Sequence, residues 1–448
     1  MTARKKILFY SILVLMLFGS LRFLDYLAGR LFLRYNASYY VYEPGYYRVE
    51  AKKGSTLIFA NSLGIRSPEI RPRENRARVM FLGDSFTFGG GGVHEDDTFV
   101  RVSENITRKK YSLDHVNAGI IAYGPANSLG LYRAIQSRVD PTIVLLCLYQ
   151  NDVNDSGETA LYKRMRANRK KRLLDFILFS LAPNISNYYF KRKVTGEFQK
   201  NILKFYNPVK KVSRKDLEES KRNARSGRKL NKIKASPEKI RRFLLQVATP
   251  YIKRMDVKPA VVQKWARNGS AFIVEHGVNI VDIPHLVYGL VEPDYLVKSI
   301  DLTGDGAAYF SNMTSIIRDM RAEVKRNGQK FGLVYIPSEV MYNEAKIARY
   351  RGFNFRVNEK WLRGKTRVEA ELENFAKKEN IPFLNLTPMF RRLPDRDLTY
   401  TYDLHFSEKG HARAGELIAD FLDKRFLGPK DRKPKDPRIA PSIKTERK

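Results

Sequence analysis

Short apolar runs alternate with amphipathic stretches in two parts of the chain. The runs predict buried strands at 78–82, in a segment ending near Val116, and at 142–149, 331–336 and 382–386. Apolar residues at helical spacing predict helices near 96–110, 125–138, 308–327 and 357–379, and a last helix that Ser407 caps. Since parallel strands need crossover helices, this alternation predicts an α/β fold around a parallel five-stranded sheet.

The alternation stops in the middle of the chain. Residues 156–303 are dense in Lys and Arg and carry apolar residues at mixed helical spacing, which predicts a basic, mainly helical insertion. This insertion separates residues 35–155 from residues 304–428, the two parts of the α/β domain. Residues 35–75 are rich in tyrosine and turn formers and contain Asn61-Ser62-Leu63-Gly64-Ile65-Arg66, and we interpret them as the lead-in to this domain. Two interpretations of the insertion stay open: a cap or membrane-facing platform, or a set of solvated helices. Prolines and charges predict a disordered basic tail over 429–448.

The N-terminal segment 1–34 predicts a membrane anchor. Residues 7–21 are nearly all apolar and follow three basic residues, and Arg22 and Asp25 then interrupt the run. This run is shorter than the roughly 20 residues that span a bilayer, but Arg22 can snorkel to the interface. A cleaved signal peptide and a buried helix are the alternatives. Because no small-x-small cleavage pattern follows, we favour an uncleaved single-pass helix in the cell membrane.

Charge points to anionic partners. The chain has 82 Lys and Arg against 47 Asp and Glu, a net charge of +35. Such a field attracts an anionic membrane surface, an acidic polysaccharide or a nucleic acid. Nucleic acid is not expected, because no helix-turn-helix, zinc-finger or RNA-binding signature accompanies the charge. The single cysteine, Cys147, lies in an apolar run, so no disulfide and no cysteine-based zinc site is possible, and neither a metal nor a cofactor is expected.

A candidate nucleophile follows the first strand. Gly83-Asp84-Ser85 comes directly after the apolar run 79–82, so the strand delivers Ser85 to a sharp turn at the start of a helix. The unpaired N–H groups of a helix N-terminus stabilise the negative charge that develops when a hydroxyl attacks an ester carbonyl. The tripeptide is also ordinary turn chemistry. The glycine run 89–92 lacks a phosphate-loop lysine, which disfavours nucleotide binding and favours flexibility or close substrate approach.

Three later segments carry further candidates in a fixed order. The glycine-bearing loop 117–124 contains Ala122, Asn151 closes the apolar strand 143–148, and Asp403-Leu404-His405 precedes the last helix. With Ser85 these segments resemble the four sequence blocks of the SGNH (GDSL-type) hydrolases. The resemblance covers 60–155 and 310–425 and implies a flavodoxin-like, three-layer sandwich.

The resemblance also implies the site and its roles. Ser85 matches the nucleophile, His405 the base and Asp403 the group that orients the base. The backbone N–H groups of Ser85 and Ala122 and the side chain of Asn151 match the oxyanion donors. Two departures stand out: alanine occupies a position where the family usually has glycine, and the last block is D-x-H where many members have D-x-x-H.

Histidines elsewhere offer one competing base. His411 lies on the last helix, where a capping or surface histidine is the commoner explanation. His94 and His115 are expected in polar loops. In an extended strand Asp403 and His405 would point to opposite sides, so their contact requires a bent loop.

The resemblance implies a membrane-anchored serine esterase or acyltransferase. We expect it to act on O-acyl groups, O-acetyl foremost, of an envelope glycan or lipid, with the catalytic domain outside the cytoplasm. The alternatives are a non-catalytic scaffold of the same fold that binds anionic envelope polymers, and a phospholipase or lipase.

Overall fold

The computed structural model describes most of the chain. The described residues are 2–31, 38–51, 54–157, 177, 180–186, 209–219, 221, 236–255, 257–276, 281 and 283–432. They contain these strands: β1 (Gly45–Ala51), β2 (Gly54–Ala60), β3 (Ala77–Gly83), β4 (Leu113–Gly119), β5 (Ile143–Tyr149), β6 (Val209–Lys211), β7 (Lys330–Ile336) and β8 (Phe383–Asn385).

Five parallel strands form the central sheet, in the order β4-β3-β5-β7-β8. Leu82 of β3 pairs with Leu146 of β5, which in turn pairs with Leu333 of β7. Counted along the chain, the sheet order is 2-1-3-4-5, which is the flavodoxin-like order of doubly wound folds. The predicted five-stranded parallel sheet is confirmed.

Helices cover both faces of this sheet. Alternate residues of β3 point to opposite sides, since Met80 and Leu82 join one buried cluster while Val79 and Phe81 join the other. The connecting helices are Phe99–Thr107, Pro125–Val139, Gly306–Arg326, Arg367–Lys378 and Glu408–Arg425. The predicted three-layer sandwich is therefore present.

One predicted helix begins later than expected. Helical spacing predicted 357–379, but the helix starts at Arg367, and only a 3₁₀ turn, Glu359–Leu362, precedes it. Thr366 and Glu369 form a reciprocal capping box in which Glu369 accepts from the Thr366 N–H at 2.9 Å. This cap satisfies the first free N–H groups and fixes where the helix starts.

A second, small sheet was not predicted. Strands β2, β1 and β6 form an antiparallel sheet in the order β2-β1-β6. The sequence up to residue 75 predicted only a tyrosine-rich lead-in, and β6 lies within the predicted insertion. The small sheet lies against the glycine run 89–92, because the Thr56 hydroxyl donates to the Gly92 carbonyl.

The described part of the insertion is mainly helical. Its helices are Pro237–Met255, Pro259–His276, Ile283–Val291 and Tyr295–Ile300. Leu244, Trp265 and Leu286 belong to the same buried cluster as one face of the central sheet, and Asn154 donates to the Tyr295 carbonyl at 2.9 Å. The basic runs 169–172 and 191–193 lie outside the described residues, and the boundaries of the insertion stay a prediction.

The N-terminal helix Ala3–Leu31 extends past the apolar run. Residues 3–29 are long and apolar enough to cross a membrane, a property that a signal sequence shares. Arg22 donates to the Leu181 carbonyl at 3.1 Å, and Asp25 accepts from the Ile185 N–H at 2.9 Å. Both charges that interrupt the run are thus paired with the insertion.

The start of the C-terminal tail is ordered. Pro429–Asp431 forms a 3₁₀ turn, and Arg432 pairs with Tyr111 in an isolated β-bridge. The expected disorder was therefore wrong for 429–432, and residues 433–448 lie outside the described residues.

A buried arginine ties the start of β3 to the layers around it. Arg78 Nε lies 2.9 Å from Asp114 Oδ2, and its other nitrogens donate to the carbonyls of Val139 and Arg71 at 2.6 and 2.8 Å. We expect Arg78→Ala to lower the free energy of unfolding by about 3 kcal/mol, because it leaves these acceptors without their donor.

Denaturant titration of the detergent-solubilised chain measures this loss. Arg138→Ala is the matched control, since Arg138 is exposed and a surface substitution changes stability by about 0.5 kcal/mol or less. Equal stability of the two variants would contradict the prediction.

Candidate active site

The turn after β3 presents Ser85 at the start of a short helix, Ser85–Phe88. Asp84 caps this helix by accepting from the Phe86 N–H at 2.9 Å. Gly83 has a φ of +155°, and a Cβ at this position would lie 2.3 Å from Thr87 Oγ1. Only glycine fits this turn, so the strand-to-helix geometry predicted for Ser85 is present.

Ser85, His405 and Asp403 form one chain of hydrogen bonds. His405 Nε2 lies 2.7 Å from Ser85 Oγ, and His405 Nδ1 lies 2.5 Å from Asp403 Oδ1. Asp403 Oδ1 also accepts from the His405 backbone N–H at 3.2 Å. The structure thus brings together the three residues that the sequence singled out as nucleophile, base and orienting acid.

A bent loop allows the side chains of Asp403 and His405 to meet although they are two positions apart. Thr399 and Phe406 pair in an antiparallel bridge, and the Tyr400 N–H donates to the His405 carbonyl at 3.0 Å. Between these contacts the chain turns, so both side chains reach the same side.

The charge state of Asp403 suits an orienting acid. Burial opposes its ionisation, but the charge of His405 and hydrogen bonds from His405 and the Leu404 backbone outweigh burial and lower the pKa of Asp403 below its usual value. Asp403 is therefore ionised at neutral pH and accepts a hydrogen bond from the Nδ1–H of His405, which leaves Nε2 free to accept from Ser85.

The glycine run 89–92 allows the base to approach closely. A Cβ on Gly90 would lie 2.6 Å from His405 Cδ2, and one on Gly91 would lie 2.6 Å from Tyr400 Cδ2. The sequence predicted flexibility or close substrate approach at this run. In the structure, the side chains of His405 and Tyr400 fill the space that larger residues would need.

The buried side chain of Arg66 binds the backbone that follows Ser85. It is fully buried, and it donates to the carbonyls of Phe88 and Gly89, each at 2.9 Å, and of Val93 at 2.8 Å. Its Nε lies 3.2 Å from Glu95. The segment Asn61-Ser62-Leu63-Gly64-Ile65-Arg66 was the signal in the sequence, but nothing in it showed which carbonyls the arginine binds.

The three proposed oxyanion donors differ in their surroundings. Among the described residues, the N–H groups of Ser85 and Ala122 have no hydrogen-bond partner. Ala122 is exposed and has a φ of +61°, a left-handed conformation that L-residues adopt at a cost of about 1–2 kcal/mol. Asn151 Nδ2 donates to Asp155 Oδ2 at 2.8 Å. Their role as an oxyanion hole stays a prediction.

Buried carboxyl groups surround the end of β5. Burial raises the pKa of Asp84 to about 6, and burial together with the charges of Asp84 and Asp155 raises that of Asp152 well above its usual value. The neighbouring residue Asp155 is exposed to solvent. The described residues contain no group of three or more His, Cys, Asp or Glu side chains arranged to hold a metal ion.

Two histidines differ from the sequence-based expectation. His411 is buried rather than at the surface, and its Nδ1 accepts at 3.2 Å from the N–H of Phe99, the first residue of the helix Phe99–Thr107. His115 lies inside β4, not in a polar loop, with Nδ1 3.1 Å from Ser103 Oγ. Each of these buried rings has a hydrogen-bond partner at Nδ1, and His115 Nε2 has none among the described residues, whereas His405 contacts Ser85.

Solved hydrolases share a general likeness with this chain. A lipase/acylhydrolase from Enterococcus faecalis is 12% identical (80% of this chain and 98% of that chain covered, TM-score 0.34). An acetylxylan esterase from Geobacillus stearothermophilus is 11% identical (77% and 94%, TM-score 0.31), and a GDSL-like lipase from Bacteroides thetaiotaomicron is also 11% identical (80% and 92%, TM-score 0.30). No family model and no curated protein matches the chain. At these identities and TM-scores, the assignment of the site rests on its own geometry.

The contact between Asp403 and His405 can be tested kinetically. We expect Asp403→Asn to lower kcat for a soluble acyl ester by about 10³–10⁴-fold, because the amide favours the wrong tautomer of His405. Steady-state kinetics measure the loss, and a kcat within about threefold of the wild type would show that Asp403 does not orient the base.

The buried state of His411 predicts a dependence of stability on pH. Burial, with the charges of Arg66 and His405, lowers the pKa of His411 to about 3, below the ordinary 6.5. The stability that this shift gives is complete above pH 6.5 and is lost as the pH falls toward 3. We therefore expect His411→Gln to lose less stability than the wild type between pH 6.5 and 4 in urea titrations. Equal losses of stability in the two proteins would show that His411 is not the group responsible. Buried carboxyl groups with raised pKa values have the opposite effect, but they are the same in both proteins and cancel in the comparison.

Proposed function

We propose that the protein is a membrane-anchored serine esterase or acyltransferase of the SGNH type, acting on O-acyl groups of an envelope glycan. The observation that carries the proposal is the hydrogen-bonded chain Ser85–His405–Asp403. A serine hydroxyl bonded to an imidazole that a carboxylate orients is the arrangement that activates a serine toward acyl carbonyls.

The reaction proceeds in two steps. His405 Nε2 accepts the Ser85 hydroxyl proton as Oγ attacks the acyl carbonyl, and the charged intermediate collapses to an acyl-serine as His405 returns the proton to the leaving alcohol. Water, or a sugar hydroxyl, then attacks the acyl-serine with His405 again as base. Backbone N–H groups of Ser85 and Ala122 and the Asn151 amide hold the oxyanion, each worth about 3 kcal/mol of barrier.

A neighbouring groove supports a glycan as the acyl carrier. The groove has a volume of about 980 Å³, and its lining carries charges of both signs, among them Glu275, Lys346 and Arg392. Arg349 also lines it and donates to the Thr401 carbonyl at 2.9 Å, which joins the groove to the loop of Asp403 and His405. Neither Ser85 nor His405 lines the groove, so we assign it to the polymer rather than to the acyl group.

The N-terminal helix and the net charge support a location at the membrane. The helix is long enough to span a bilayer, and a charge of +35 favours anionic surfaces and acidic polymers. We propose a single-pass anchor with the catalytic domain outside the cytoplasm, where envelope glycans lie.

Active-site labelling tests the proposed nucleophile. We expect a fluorophosphonate probe to label the solubilised wild type, because His405 activates Ser85, and to leave Ser85→Ala unlabelled with an unchanged melting temperature. Gel fluorescence and mass spectrometry of the labelled peptide measure this.

Other outcomes separate the remaining classes. Labelling that persists in Ser85→Ala would refute the assignment. An unlabelled wild type that turns over no ester but binds acidic polymers in a salt-sensitive way would favour the non-catalytic scaffold, and a preference for long acyl chains would favour a lipase.

Removing a cation from the groove tests the polymer site. Arg392 is exposed and has no ion-pair partner among the described residues. We expect Arg392→Ala to raise KM for an O-acetylated, uronic-acid-rich polysaccharide about fivefold, the loss of one contact worth about 1 kcal/mol. Turnover of p-nitrophenyl acetate should not change. Arg138→Ala is the control, and an unchanged KM for the polysaccharide would remove the groove from the proposal.

A further inference from the structure

The side-chain amide of Asn151 is held at one end only. Its Nδ2 donates to Asp155 Oδ2 at 2.8 Å, whereas its Oδ1 is buried and accepts no hydrogen bond from the described residues. A primary amide has two N–H donors on its nitrogen. Asp155 therefore takes one of them, and the second has no partner among the described residues.

The carboxyl group of Asp155 selects which end of the amide faces it. If the amide turned by 180° against the ionised carboxylate of Asp155, two acceptor oxygens would face each other and the hydrogen bond would be lost. Because Oδ1 has no donor among the described residues, the contact with Asp155 is the hydrogen bond that sets this orientation.

The backbone strengthens the link between the two residues. The Asp155 N–H donates to the Asn151 carbonyl at 2.9 Å, across the short helix Asp152–Asp155 that follows β5. The side-chain and main-chain contacts close a ring between positions 151 and 155. The main-chain bond keeps the two residues together, and a turn of the amide breaks the side-chain bond.

Asp155 also contacts the loop that carries another candidate donor. A Cβ placed on Gly124 would lie 3.1 Å from Asp155 Cβ, so the two residues are packed with little room between them. Gly124 comes two residues after Ala122 and caps the helix Pro125–Val139. The Asp155 side chain thus lies against both the Asn151 amide and the loop of Ala122.

We propose that Asp155 is a positioning residue. It holds the Asn151 amide with its nitrogen toward the oxyanion and fixes the position of this amide relative to the Ala122 loop. The proposal rests on the proposed function, because it assigns Asp155 a task only if Asn151 stabilises an oxyanion. Asp155 itself acts through Asn151 and does not contact the reacting atoms.

A double-mutant cycle with p-nitrophenyl acetate tests this role. We expect Asn151→Ala to lower kcat about 10²–10³-fold, since it removes a donor. Asp155→Ala should lower kcat about tenfold with little change in KM, since it loosens the donor without removing it. The double variant should match Asn151→Ala, because Asp155 has no amide left to hold.

Two further variants separate positioning from folding. Asp155→Asn keeps an acceptor oxygen and should recover most of the lost kcat, while Asp420→Ala, an exposed residue of the last helix, should behave as the wild type. Melting temperatures of all variants are compared with the wild type.

The cycle has clear contrary outcomes. A loss from Asp155→Ala that is the same with and without Asn151, or no loss at all, overturns the positioning role while the esterase stands. If the wild type shows no ester turnover that Ser85→Ala abolishes, the proposed function and this inference are both overturned.

Discussion

The hydrogen bond between Ser85 and His405 joins residues 320 positions apart, and the parallel sheet makes this contact possible. In a parallel sheet, the carboxyl ends of all strands meet at one edge, where the following loops lie close together. Ser85 follows β3, Asn151 follows β5, and the loop of Asp403 and His405 comes after β8. Any change in the order of these strands would separate the Ser85 hydroxyl from the His405 imidazole.

The turn that carries Ser85 depends on the buried residues around it as much as on its own residues. Arg66 gathers the carbonyls of Phe88, Gly89 and Val93, and the glycine run leaves room for the imidazole of His405. A rigid turn matters because catalysis needs the hydroxyl and the imidazole within hydrogen-bond distance before the substrate arrives. The lead-in that provides Arg66 is therefore part of the site, although it carries none of the reacting groups.

The insertion contacts both the N-terminal apolar helix and the domain that bears the site. Its residues 181–185 bind Arg22 and Asp25, the two charges within the otherwise apolar N-terminal helix, and Trp265 and Leu286 share a core with the sheet. Charges in a membrane-spanning segment are costly unless they are paired, so these contacts favour a fixed arrangement of helix and insertion. Under the proposed function, this arrangement holds a glycan bound in the groove at a fixed position relative to the bilayer.

Apolar periodicity and strand-to-helix alternation were sufficient to predict the central sheet. The site residues were named by the resemblance of four short segments to a known family, and the fold joins three of them, Ser85, His405 and Asp403, by hydrogen bonds. These features are local, because a period of two or 3.6 residues and a turn motif are written in neighbouring positions. The tertiary structure decided three features: the small antiparallel sheet, the burial of the His115 and His411 rings, and the packing of Asp155, which binds Asn151, against Gly124. Each depends on which distant surfaces pack together, and a pattern along one chain does not contain that information.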